Sequence, residues 1–110
     1  MKIGKINIGL NYKPCVIAEI SGNHNKSLNN ALKLVEIAAK ARADIVKLQT
    51  YKPETITIKS SRKEFLIKDK KSWWKNKNLF DLYKQGFTPW EWHAAIFKKA
   101  KKLGITCFSS

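Results

Sequence analysis

Four polar side chains stand at the ends of apolar runs: Glu19, Lys47, Gln49 and Ser110. Glu19 is next to last in Cys15-Val16-Ile17-Ala18-Glu19-Ile20. Lys47 and Gln49 alternate with Val46 and Leu48, so on a strand they share one face while the apolar pair takes the other. Ser109 and Ser110 finish a third run, residues 105–110. A carboxylate, an ammonium, an amide and a hydroxyl at one place suit a small anionic substrate. Lys47 and a serine hydroxyl would hold phosphate or carboxylate, and Glu19 would hold hydroxyls or move a proton. The same Glu and Lys would equally satisfy each other as a buried ion pair, or reach water at the strand ends. A charge enclosed by a sheet is costly unless it is paired or used.

Other candidates have plainer readings. His24 lies in the polar stretch Ser21-Gly22-Asn23-His24-Asn25-Lys26. One histidine is not a metal site, which needs three or four ligands, and Asn23 and Asn25 read as turn formers. His93, beside Trp90 and Trp92, reads as packed rather than catalytic. Cys15 and Cys107 lie on apolar runs with no neighbouring histidine or basic helix end to activate them, and read as inert small hydrophobes. Trp73 and Trp74, set among lysines, suit stacking on a sugar face or a base, but anchoring a long loop is the simpler reading.

Positioning these groups requires strands and helices in alternation. Residues 2–9 alternate Ile3, Ile6 and Ile8 with polar residues and predict a short strand or hairpin. Residues 15–20 predict a buried strand. Ser27 is a suitable helix N-cap, and Leu28, Ala31, Leu32, Val35, Ala38 and Ala39 form a helical apolar stripe ending near residue 41 or 42. Residues 44–49 predict a second strand, parallel to the first because a helix crosses between them. Residues 50–87 are a long insertion with a short helix at 79–84, and long ordered loops usually carry function. Thr88-Pro89-Trp90-Glu91 predicts an N-cap at Thr88, proline in the first turn and a capping box closed by Glu91. Gly104 predicts a left-handed stop before a third strand. This β-α-β-α-β order, with open sheet edges, predicts the opening part of a larger α/β protein, a barrel or a doubly wound sheet.

Composition narrows the classes. The 110 residues bound the chain to one small domain or part of one. No stretch approaches the roughly 18 apolar residues of a membrane span, and the N-terminus lacks the apolar core and cleavage site of a secretory signal. Two cysteines do not make a disulfide scaffold, so a reducing, cytoplasmic setting is expected. The net charge of +14 raises nucleic-acid binding as an alternative. Of the 22 basic residues, however, all but Arg42 and Arg62 are lysine, and arginine is the residue suited to bidentate reading of bases and phosphates. A solvated lysine coat is the plainer account.

Three stretches, Ile17-Ala18-Glu19-Ile20-Ser21-Gly22-Asn23-His24-Asn25, Val46-Lys47-Leu48-Gln49-Thr50-Tyr51 and Cys107-Phe108-Ser109-Ser110, resemble the N-terminal part of the sialic acid synthase family in order and spacing. Glu64-Phe65-Leu66-Ile67-Lys68, a Trp at 73–74, Leu79-Phe80-Asp81-Leu82-Tyr83 and Thr88-Pro89-Trp90-Glu91-Trp92-His93 are similar to that family's pseudaminic acid synthase branch. The resemblance implies the N-terminal portion, about three βα units, of a (β/α)8 TIM barrel. The rest of the barrel and a small antifreeze-like C-terminal domain would lie beyond residue 110. It implies condensation of phosphoenolpyruvate with an N-acetylated amino sugar to a nonulosonic acid and phosphate. A 2,4-diacetamido-2,4,6-trideoxy hexose of the altrose type is the expected sugar, and N-acetylneuraminate or legionaminate synthesis the alternative. By the same resemblance Glu19 is the active-site glutamate, Lys47 and Ser110 contact phosphoenolpyruvate, and Gln49 contacts the sugar. A divalent metal, Mn or Mg, is implied with its ligands beyond residue 110, as is a homodimer of the complete enzyme. These 110 residues alone are expected to be inactive. Two positions depart from the family pattern: Arg42 and Lys26 stand where glycine is common.

Overall fold

The computed structural model describes residues 1–110. A two-stranded antiparallel hairpin, β1 (Lys2–Ile3) and β2 (Ile6–Asn7), opens the chain. Gly4 makes its turn at φ +58°, and a side chain there would come within 3.2 Å of the Thr106 hydroxyl. The hairpin turn therefore rests against the start of the last strand.

The remainder is built on a parallel sheet of order β3-β4-β5, comprising β3 (Ile17–Glu19), β4 (Ile45–Leu48) and β5 (Thr106–Ser109). Helix α1 (Leu28–Lys40) joins β3 to β4, and α4 (His93–Leu103) precedes β5. The register pairs Glu19 with Lys47 and Lys47 with Phe108, while Leu48 faces Ser109. The core forms where the stripes of α1 and α4 meet one face of the sheet. Ala31, Val35 and Ala38 pack with Ile96 and Ala100 over Val46 and Leu48. Glu36 of α1 and Lys99 of α4 add an ion pair across the two helices. The predicted βαβ units are thus present, and β4, the central strand, is the buried one. β3 differs from the expected buried strand: Val16 and Ile17 are exposed because β3 has a strand neighbour only on its β4 side.

The helix ends show how local chemistry sets this geometry. Ser27 caps α1 by accepting the Asn30 N–H at 3.3 Å. At the other end the Ala43 N–H reaches the Ala38 carbonyl and the Arg42 N–H reaches that of Ala39, the bonding of a Schellman closure. α4 ends the same way, with the Ile105 N–H on Ala100 and the Gly104 N–H on Lys101. Both closures need a left-handed residue: Gly104 has φ +73°, and Arg42 adopts φ +60° where a glycine would be unstrained.

The expected cap at Thr88 does not form. The Thr88 N–H donates to the Gln49 carbonyl at 3.0 Å, which draws the residue inward. Its hydroxyl is fully buried and unpartnered rather than folded over a helix start. Trp90–Trp92 makes a 3-10 turn, α4 begins only at His93, and Glu91 closes no capping box. The insertion holds more structure than predicted. It contains α2 (Pro53–Ile56), a 3-10 turn at Lys63–Phe65 and α3 (Leu79–Gly86), two residues longer than expected. The Ile67 and Lys77 main chains are hydrogen bonded, closing the loop that carries Trp73 and Trp74. Asn78 caps α3, accepting the Phe80 N–H at 2.9 Å and donating to the Ser60 carbonyl.

Candidate functional site

β3 and β4 end side by side, and their register brings Glu19 and Lys47 together. Lys47 Nζ lies 3.1 Å from Glu19 Oε2, with both side chains partly open to solvent. A pair this exposed contributes at most about 1 kcal/mol. Phe108 stands level with them on β5, a neighbour that sequence reasoning did not single out and that the alternation Cys107-Phe108-Ser109 would have revealed.

Gln49 follows β4, two residues beyond Lys47 and on the same face by alternation. Ser110 continues β5: its N–H donates to the Leu48 carbonyl at 3.2 Å, and its carbonyl accepts the Thr50 N–H at 2.9 Å. All four expected residues thus sit at the carboxyl ends of the strands, where parallel α/β sheets place ligands. Glu19 and Lys47 are in direct contact. No hydrogen bond joins Gln49 or Ser110 to that pair.

Beside Gln49 is a cavity of about 270 Å³. The first βα loop supplies Gly22, Asn23 and Asn25, and the insertion supplies Tyr51, Trp74 and residues of α3. Gly22 and Gly86 close it below: a side chain at Gly22 would stand 2.9 Å from the Gly86 Cα, and one at Gly86 would stand 3.0 Å from the Tyr51 hydroxyl. Trp74 is half-exposed on this wall, and Trp73 is exposed within these 110 residues. A lysine at residue 77 lies 5.0 Å over the Trp74 ring. The sequence signal for the cavity was weak, because residues 79–83 read as a helix stripe.

The first βα loop is organised from inside by His24. Its ring is fully buried, meets Trp92 edge-on at 5.2 Å and accepts the Lys26 N–H on Nδ1 at 3.2 Å. Nε2 has no partner. Burial, reinforced by the Lys26 charge, holds the ring pKa below its ordinary value, which favours the neutral form. Lys26 lies with Nζ 3.2 Å above the Phe87 ring, and desolvation lowers its pKa against the opposing pull of Glu91.

On the helix side of the sheet His93 does more than pack. Its Nδ1–H donates to the Trp90 carbonyl at 2.9 Å, which leaves Nε2 to accept the Thr50 hydroxyl at 2.6 Å. Thr50 in turn is hydrogen bonded to the Ser109 hydroxyl. This chain ties the ends of β4 and β5 to the start of α4, and only the folded register shows it. Cys107 is half-buried and its thiol is pushed up to about 11 by burial, so it is protonated and unreactive at neutral pH. No three His, Cys, Asp or Glu side chains come together as a metal-holding group, and no helix is long and apolar enough to cross a membrane.

The NeuB family model matches residues 34–110. Pseudaminic acid synthase of Campylobacter jejuni subsp. jejuni serotype O:2 is 44% identical over 110 residues, all of this chain and 31% of that protein. Pseudaminic acid synthase of Helicobacter pylori is 42% identical over 97 residues, 88% of this chain and 28% of that protein. The chain thus spans about 31% of the length of the first of these relatives. The crystal structure of an N-acetylneuraminic acid (sialic acid) synthetase from Leptospira borgpetersenii serovar Hardjo-bovis superposes with TM-score 0.75. It has 27% identity to this chain, covering 99% of it and 33% of that one. That likeness fits a three-stranded parallel sheet forming the N-terminal part of a TIM barrel, and nothing in these relatives supports the nucleic-acid alternative. With the family model running from the middle of α1 to the end of β5, and with relatives of that kind aligned along the chain, the chain belongs to the NeuB family.

Proposed function

We propose that this chain forms the opening third of the barrel domain of a synthase that joins phosphoenolpyruvate to a 2,4-diacetamido-2,4,6-trideoxy hexose of the altrose type, giving pseudaminic acid and phosphate. The observation that carries the reading is the 44% identity to a pseudaminic acid synthase along the whole chain. The contact between Glu19 and Lys47 at the strand ends supports it. In this reading the Lys47 ammonium holds the phosphate or carboxylate of phosphoenolpyruvate, and the Ser110 hydroxyl joins it. Glu19 stands beside the reacting carbons, where its carboxylate orients hydroxyls or moves a proton. Gln49, with both donor and acceptor, holds the sugar. The enol carbon attacks the open-chain aldehyde, water adds at the neighbouring carbon, and phosphate leaves.

In this reading a divalent metal, Mn or Mg, would be held by residues of the complete enzyme outside this chain and would polarise the sugar aldehyde. The complete enzyme is proposed to be a cytoplasmic homodimer with the rest of the barrel and a C-terminal domain outside these residues. Assay of the complete gene product with phosphoenolpyruvate and each candidate sugar tests the reading. Turnover with the diacetamido altrose-type sugar is expected. Turnover confined to the precursors of N-acetylneuraminate or legionaminate would contradict it.

A further inference from the structure

The cavity beside Gln49 has a chemistry unlike that of the neighbouring ion pair. Its volume of about 270 Å³ lies near the lower end for small-molecule sites. Asn23, Asn25, Gln49 and Gln85 place four carboxamides on its wall, and no charged residue lines it. Tyr51 belongs to the wall as well, and desolvation raises its pKa, so the phenol stays neutral. A phosphate or carboxylate entering here would lose water without gaining a counter-ion. Carboxamides both donate and accept, and pair well with amides and hydroxyls.

The cavity also has an apolar part to its lining. Trp74, Leu82 and Tyr83 line it, and Tyr83 is held edge-to-face against Tyr51 at 5.8 Å. A ligand that suits this lining is neutral, carries amides or hydroxyls and offers apolar groups to Trp74 and Leu82. Charge therefore divides the strand ends into an anion half at Lys47 and an uncharged half in this cavity, with Gln49 two residues from Lys47 on the border.

We infer that the uncharged cavity receives the acceptor sugar, and that Trp74, Leu82 and Tyr83 form a selective wall for its methyl-bearing substituents while the carboxamides pair with its amide groups. This rests on the synthase reading above. It adds that selection of the sugar resides in the segment between β4 and α4 rather than at the strand ends. An apolar wall of this kind distinguishes substrates that differ by small apolar groups by roughly 10–200-fold.

The test is steady-state kinetics of the complete synthase with Leu82→Asn and, separately, Trp74→Ala. Each is assayed with phosphoenolpyruvate and either the diacetamido trideoxy sugar or N-acetylmannosamine. The expected result is a fall of about tenfold or more in kcat/KM for the diacetamido sugar. Selectivity against N-acetylmannosamine narrows, and KM for phosphoenolpyruvate stays within about twofold because the anion half is untouched. Both variants keeping wild-type sugar kinetics and selectivity would overturn the wall. So would a rise in KM for phosphoenolpyruvate matching the loss for the sugar, since the effect would then not be specific to the sugar. Failure of the wild-type enzyme to turn over any amino sugar would remove the synthase reading itself, and is read before any variant is made.

Discussion

Arg42 carries a local strain that a single substitution relieves. The Schellman closure of α1 places it at φ +60°, a region that costs a side-chain-bearing residue about 1–2 kcal/mol. Part of that is offset in glycine by its greater freedom when unfolded. Arg42→Gly is therefore expected to stabilise the protein by about 0.5–1 kcal/mol, read as a higher urea midpoint; a lower midpoint would contradict it. His24 makes the stability depend on pH. Its folded pKa lies below the ordinary 6.5, so as pH falls below about 6.5 the unfolded chain takes up a proton that the folded chain resists. Its contribution is complete above that pH and is lost toward acid, by up to about 1.4 kcal/mol per pH unit until the folded pKa is reached. Unfolding free energies of wild type and His24→Gln between pH 7.5 and 5.5 check this: the wild type should fall more steeply, and parallel curves would refute it. At this scale the sequence was informative where a side chain acts on its neighbours in the chain, as at Ser27 and Gly104. It was silent where the partner is distant, as for Thr50 with His93 and Ser109, and wrong at Thr88. There the residue is tied to Gln49 through its main chain and its hydroxyl is buried without a partner.

Among the elements, α3 is the one whose placement matters most to the site, and two glycines fix it. Gly22 in the first βα loop and Gly86 at the end of α3 approach so closely that a methyl on Gly22 would stand 2.9 Å from backbone. Gly22→Ala must push α3 and the loop apart. A loss of about 1–3 kcal/mol is expected, together with a higher KM for the sugar in the complete synthase. Unchanged stability and sugar KM would show that the approach is not required. The strands and α1 were legible because their apolar periods are strong and uninterrupted. The cavity was not, because Leu82 and Tyr83 carry the same helical spacing whether they face a core or a ligand. Trp74 joins them only through the closed loop between residues 67 and 77.

For the molecule as a whole, the register of β3, β4 and β5 is what brings the ends of three separate sequence motifs side by side. A one-residue slip of either strand pair would send Glu19 or Lys47 to the helix side. The alternation of Lys47 and Gln49 with Val46 and Leu48 foretold which face each would take, and the contact at 3.1 Å agrees. β3 is exposed because it has a strand neighbour only on its β4 side. The central claim, that Lys47 beside Glu19 holds the anionic substrate, is tested most directly by steady-state kinetics of the complete synthase with Lys47→Ala. The account predicts a loss of kcat/KM for phosphoenolpyruvate of roughly 30-fold or more, the cost of removing one partner of a charge-assisted contact. Wild-type kinetics for phosphoenolpyruvate in that variant would contradict it.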